Sequence, residues 1–170
     1  MPIHFNDIDV VSQVEGSRSA LIVPCVMCPA ATMAVRDNKP FIQLFKGILK
    51  SPPFEQYLST LQSRLREKGI TAEVFKSTFY HHWFMCMWTS GRRKKLREYA
   101  KQYEAVIVLG CDSATETVRD AVKSSDCKVI EGMRVSGIMN AKLKFHLPGN
   151  ISFEDCKVIP ISHQKKEILQ

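Results

Sequence analysis

The chain has 170 residues, 45% of them hydrophobic, a formal net charge of +7 and six cysteines. That length fits one domain able to bury about 70% of the surface its unfolded form exposes, so the cysteines are not needed as staples merely to fold. No apolar run approaches the roughly 20 residues that span a bilayer; "MPIHFNDIDVV" lacks the basic start and apolar centre of a secretory signal, so the cytoplasm is the expected location, where three disulfides are disfavoured.

In chain order, residues 1–17 read as an N-terminal extension of a single α/β domain spanning 1–170. "SALIVPC" (19–25) is a continuous apolar run, the pattern of a strand buried on both faces in a parallel sheet. "PPFEQYLSTLQSRLREKG" (52–69) is helical: Phe54, Tyr57, Leu58, Leu61 and Leu65 recur at helical spacing, Pro53 and Glu55 suit a first turn, and Gly69 marks the stop. "TAEVFK" (71–76) and "EAVIVLGC" (104–111) are expected as two more buried strands, with a helix over 92–103 between them that turns Leu96, Tyr99, Ala100 and Tyr103 inward. The next helix opens at "DSATETVRDAVK", where Ser113 and Glu116 have capping-box spacing. "CKVIEGM" (127–133) supplies a fourth strand. Residues 134–162 hold two extended segments around Pro148-Gly149-Asn150, a turn signal, and are expected as a β-hairpin or meander added to the sheet. The pentapeptide "DCKVI" occurs at 126–130 and again at 155–159, and two copies make no solenoid. Strands alternating with helices imply a mainly parallel, Rossmann-like sheet with right-handed crossovers.

Ligands in open α/β sheets bind beyond the carboxyl ends of the strands. Cys25 and Cys28 follow the first of these strands directly, Cys111 follows another, and Cys86 lies in the connection after 71–76. Four of the six cysteines thus fall at one edge of the expected sheet. Cys127 and Cys156 fall at strand beginnings, where no site is expected. Four converging thiolates repel one another unless a cation removes that penalty and lowers their pKa. Cys25, Cys28, Cys86 and Cys111 are therefore the candidate ligands of a tetrahedral zinc or of an iron–sulfur cluster, between which the sequence does not choose.

Other readings of the same residues stay open. Free cysteine is an ordinary buried residue. Cys25-Val-Met-Cys28 at a strand end also suits a thiol–disulfide oxidoreductase, although the helix expected before the next strand fits a thioredoxin arrangement poorly. His81 or His82 can replace one cysteine in a Cys₃His site. Met27, Met33, Met85 and Met87 are expected as core filler, and Trp83 and Trp88 as lid or core contacts. "RRKKLREYAK" (92–101) carries six basic residues against one glutamate. Such a run is usually a solvated helix face and can also dock an acidic partner. A nucleic-acid role for it is disfavoured, since its tyrosines face inward and leave no stacking platform.

The segments "VIVLGCDSATETVRDAV" (106–122) and "CKVIEGMRVSGIMN" (127–140) resemble the cysteine-containing C-terminal family associated with methylenetetrahydrofolate reductases of anaerobes. The shared features are a buried strand ending in a cysteine, a threonine-containing helix start and a following strand that leads to a glycine. The resemblance implies a small metal-cofactor protein, accessory to a redox or methyl-transfer enzyme of one-carbon metabolism and docked on that protein partner. It reaches Cys111 and extends to Cys25 and Cys28, whereas Cys86 has no counterpart in it. Whether the chain is itself an enzyme, and whether it forms a homo-oligomer, are left open by the sequence.

Overall fold

A computed structural model describes residues 2–43, 51–76 and 84–161. Its centre is a parallel sheet of four strands, β2 (Ser19–Pro24), β4 (Thr71–Val74), β5 (Ala105–Leu109) and β6 (Lys128–Glu131), in the order β4-β2-β5-β6. Every residue of β5 is buried, as expected where helices cover both faces. One face, with Ala20, Ile22, Ile107 and Leu109, packs on α1 (Val10–Gln13), α2 (Cys28–Arg36) and α3 (Pro52–Glu67). The opposite face, with Leu21, Val23, Val106 and Val108, packs on α4 (Ser90–Ala100) and α5 (Asp112–Val122).

The expected C-terminal hairpin forms, its two strands pairing antiparallel on either side of the turn at 147–149, but the expectation that it adds to the parallel sheet is corrected. Residues 133–160 form β7 (Met133–His146) and β8 (Asn150–Pro160), which join β1 (Ile3–Asp7) and β3 (Ile42–Gln43) in a separate antiparallel sheet ordered β1-β7-β8-β3. Gly132 sits at the exit from the parallel sheet. A Cβ there would meet Leu109 Cδ2 at 2.6 Å and the Val108 carbonyl oxygen at 2.8 Å, so only glycine lets the chain pass so close before β7 departs. Residues 1–17, expected as an extension, supply β1 and α1. Phe5, fully buried, ties β1 into the core.

Local chemistry sets the element ends. In α3, Phe54, Leu58, Leu61 and Leu65 are buried, and Gly69 at φ +76° ends the helix, its N–H donating to the Arg66 carbonyl at 2.9 Å. In α4, Leu96 and Ala100 point inward, but Tyr99 is exposed at the edge of the Phe75 ring, and the helix ends before Tyr103. The capping box expected at Ser113 does not form. α5 starts earlier, with Cys111 as its N-cap, and Ser113 lies inside the first turn, its carbonyl accepting from the Thr117 hydroxyl at 2.8 Å. Among the described residues no helix is long and apolar enough to cross a membrane.

Candidate functional site

The chain runs from β2 to β4 on one side and then returns across β2 to β5 on the other. The strand order therefore reverses between β2 and β5, and in open α/β sheets ligands lie in the crevice beyond the carboxyl ends at such a point. Cys25 follows β2 there and Cys111 follows β5, joined through the Cys25 N–H, which donates to the Leu109 carbonyl at 2.8 Å. Gly110 makes the approach close. A Cβ on it would stand 2.7 Å from the Ala114 Cβ and 3.4 Å from the Cys25 Cβ.

Two helices begin at this crevice. Cys28 is the first residue of α2 and Cys111 is the N-cap of α5, and no side chain caps either helix start. Uncapped first turns leave backbone N–H donors and the positive end of the helix dipole available to negative charge. Cys86 sits in the short 3₁₀ turn Met85–Met87. That turn is pinned by Met85 and Trp88, both buried in the cluster that contains Cys25, while Cys86 and Met87 are exposed.

The four sulfurs differ in environment. Cys25 is only 8% exposed. Burial pushes its thiol above the ordinary value, the backbone N–H groups of Met85 and Met27 oppose that by donating toward the sulfur, and negative charge on Cys28 or Cys111 adds to the rise. Cys28 is half-buried. Burial raises its thiol too, the Ile3 N–H of β1 works against this, and Cys111 and Cys86 raise it further. Cys28 and Cys111 thus lie within electrostatic reach of Cys25, and Cys111 and Cys86 within reach of Cys28. As they stand, however, no group of three or more His, Cys, Asp or Glu side chains among the described residues is arranged to hold a metal ion.

The remaining expectations resolve individually. His81, His82 and Trp83 lie outside the described residues. Met33 and Met85 are core filler, Met87 is exposed, and Trp88 is a core contact 5.9 Å from the Phe75 ring. The Trp88 indole N–H has no hydrogen-bond partner among the described residues. Cys127 precedes β6 at the far edge of the sheet, beside the Ser125 hydroxyl at 2.9 Å. Cys156 lies within β8 rather than at a strand beginning, because β8 runs unbroken from Asn150 to Pro160; the β7 register shifts opposite it, between Asn140 and Lys142.

The basic run is also more structural than its composition suggests. Arg93 pairs with Asp120 at 3.0 Å, and Arg97 Nε donates to the Ala121 carbonyl at 2.9 Å, satisfying one of the orphan acceptors at the end of α5. Arg92 lies over the Trp88 ring at 6.0 Å. Lys94 and Lys95 remain exposed on the outer face.

Sequence reasoning missed the groups that surround the sulfurs: the amides of Ile3, Met27 and Met85, and Gly110. Only Gly110, next to a cysteine at a strand end, left a readable signal. An open groove of about 680 Å³ adjoins the site beyond β2 and β4, with Pro24 and Val26 in its wall beside Phe75 and Tyr99. Comparison of this chain with protein-family models, with curated proteins and with solved structures gives no match.

Proposed function

We propose that this chain holds a soft metal centre, zinc or an iron–sulfur cluster, on Cys25, Cys28, Cys111 and Cys86. The observation that carries the reading is the placement of Cys25 and Cys111 after adjacent strands at the strand-order reversal, where the Cys25 N–H donates to the Leu109 carbonyl at 2.8 Å, with backbone N–H groups near Cys25 and Cys28 opposing the rise of their thiols in support. A cysteine that only fills a core behaves as a small hydrophobe and needs no donors. A thiolate does need them, and N–H groups directed at ligating sulfur tune such centres. The donor types fit a soft cation. Binding would displace the protons that burial now holds on Cys25 and Cys28, and it would require the exposed Cys86 to turn inward to complete the set.

Thiol–disulfide exchange is the weaker alternative. An attacking thiol is exposed and has a depressed pKa, whereas Cys25 is buried and both thiols of the Cys25/Cys28 pair are raised. We keep the Rossmann-like description of the parallel sheet within this proposal, on the strength of its strand order and the reversal at the site. The accessory role beside a redox or methyl-transfer enzyme of one-carbon metabolism rests on the resemblance of residues 106–122 and 127–140. Lys94 and Lys95 are the basic groups offered to such a partner.

Elemental analysis with an absorption spectrum on anaerobically purified protein tests the reading. Stoichiometric zinc without colour, or iron with a broad visible band, supports it. Protein free of both, and unable to take up either after reduction, rejects it.

A further inference from the structure

The second sheet is covered unevenly. In its hairpin Leu143 lies opposite Phe153 and Phe145 opposite Ile151, so the four side chains share one apolar face. On the β8 side the chain covers that face itself. β3 pairs with Asn150 and Ile151, the Phe41 ring lies 4.9 Å from Phe153, and both Ile151 and Phe153 are half-buried. On the β7 side β1 stops short, its last contacts being Ile3 opposite Ile138 and the Pro2 carbonyl, which accepts from the Met139 N–H at 2.9 Å. β7 runs on to His146 with no strand beside it among the described residues. Leu143 and Phe145 are 56% and 70% exposed as a result, and Leu147 in the turn is 98% exposed.

The backbone of this edge is ordered for pairing. Between Asn140 and Lys142 the extra residue falls on β8, where Asp155 has φ +50°, so β7 keeps its alternation. The Met139 N–H faces the β1 side, and the N–H and C=O groups of Ala141, Leu143 and Phe145 therefore face the same open side.

We propose that this edge of β7 pairs with the same edge of a second copy of the chain, antiparallel, so that the two hairpins form one sheet about a two-fold axis. An antiparallel edge is its own complement: with Leu143 opposite its counterpart, Ala141 falls opposite Phe145 of the second copy, outward donors meet outward acceptors, and the apolar faces coincide. The second copy does for Leu143 and Phe145 what β3 and Phe41 do for Ile151 and Phe153. Charge also favours a copy. Lysines ordinarily guard such edges against pairing, but Lys142 is engaged with Asp155 at 2.9 Å and Lys144 with Glu154 at 2.7 Å. The polar face thus presents ion pairs, which a copy meets without net repulsion and a strongly charged partner gains little from. This edge belongs to the second sheet, so the pairing does not depend on a metal at the cysteines.

Analytical ultracentrifugation of the full-length protein tests this, with reductant present so that none of the six free cysteines links copies covalently. The parent is expected to pass from monomer to dimer as its concentration rises. Phe145→Glu changes an exposed side chain, should keep the parent circular dichroism, and should weaken the dimer about 30-fold or more. Leu143→Pro removes an outward N–H that the single chain does not use, a change an edge strand tolerates, and should also leave monomers. Met87→Gln, at an exposed methionine outside the second sheet, should dimerise as the parent does. In hydrogen exchange followed by NMR, the amides of Ala141, Leu143 and Phe145 should slow as the parent is concentrated. A parent that stays monomeric up to near-millimolar concentration overturns the proposal. So does a dimer that Phe145→Glu leaves intact or in which those three amides exchange freely. A monomer that binds anionic phospholipid vesicles, and loses that binding in Phe145→Glu, assigns the edge to a lipid surface and overturns the pairing.

Discussion

The Cys25 N–H donates to the Leu109 carbonyl at 2.8 Å, so the ends of β2 and β5 are stitched together at the level where Cys25 and Cys111 emerge. The spacing of these two cysteines is thereby a property of the sheet, and it depends on the glycine between Leu109 and Cys111. Gly110→Ala would drive a methyl group to 2.7 Å from the Ala114 Cβ, where the neighbour is a short side chain on a fixed helix. The strain is expected to cost roughly 1–3 kcal/mol, and urea unfolding measures it. Metal uptake by the folded fraction should fall as well; unchanged stability would show that β5 and α5 can move apart.

The cysteines divide into two groups. Cys25→Ser and Cys111→Ser should each lower metal occupancy, whereas Cys127→Ser and Cys156→Ser should leave it as in the parent. Cys127 is engaged with Ser125 at the opposite edge, and Cys156 lies in the second sheet. Metal content per folded chain is the readout, and loss of occupancy in Cys127→Ser would misplace the site.

Alkaline pH should weaken the apo-protein. The folded-state pKa values of Cys25 and Cys28 are raised, mainly by burial, so the folded chain keeps protons that the unfolded chain has already released. Stability from this source is complete below the ordinary thiol range, about 8.5, and is lost as pH rises toward the raised values. Tyr57, pushed up to about 12 by burial, extends the same trend to higher pH. Urea midpoints should fall between neutral and alkaline solution, and fall less in Cys28→Ser. A midpoint that rises over that interval would contradict the burial of these thiols.

Within α4, the arginines and the lysines should behave differently. Arg97→Ala removes the bond to the Ala121 carbonyl and should destabilise by about 1 kcal/mol. Lys94→Glu combined with Lys95→Glu alters only exposed positions and should stay within about 0.5 kcal/mol of the parent. Chemical denaturation of both variants makes the comparison, and equal effects would mean that the run acts as one charged surface.

How much of this was legible in the sequence follows from the range of the interactions involved. The central strands were readable because β2 and β5 are covered on both faces and so carry continuous apolar runs. α3 was readable because Leu58, Leu61 and Leu65 keep helical spacing up to a stop at Gly69. The β7–β8 hairpin was readable from its turn, but its departure into a second sheet was not, because "IHFND" has no clear period and its partner β7 lies at the other end of the chain. The edge location of Cys25, Cys28 and Cys111 could be read from strand ends alone. The Ile3 and Met85 amides could not, since nothing local connects a residue of β1 or of a 3₁₀ turn to a particular sulfur. Tyr99 was misjudged because a tyrosine at a helix margin can lay its ring edge on Phe75 and still face water.

X-ray absorption at the metal edge of the loaded protein is the most direct test of the central claim. The account predicts a nearest-neighbour shell made of sulfur, at about 2.3 Å. A shell of nitrogen and oxygen near 2.0–2.1 Å, unaltered when Cys25 or Cys111 is replaced by serine, would contradict it.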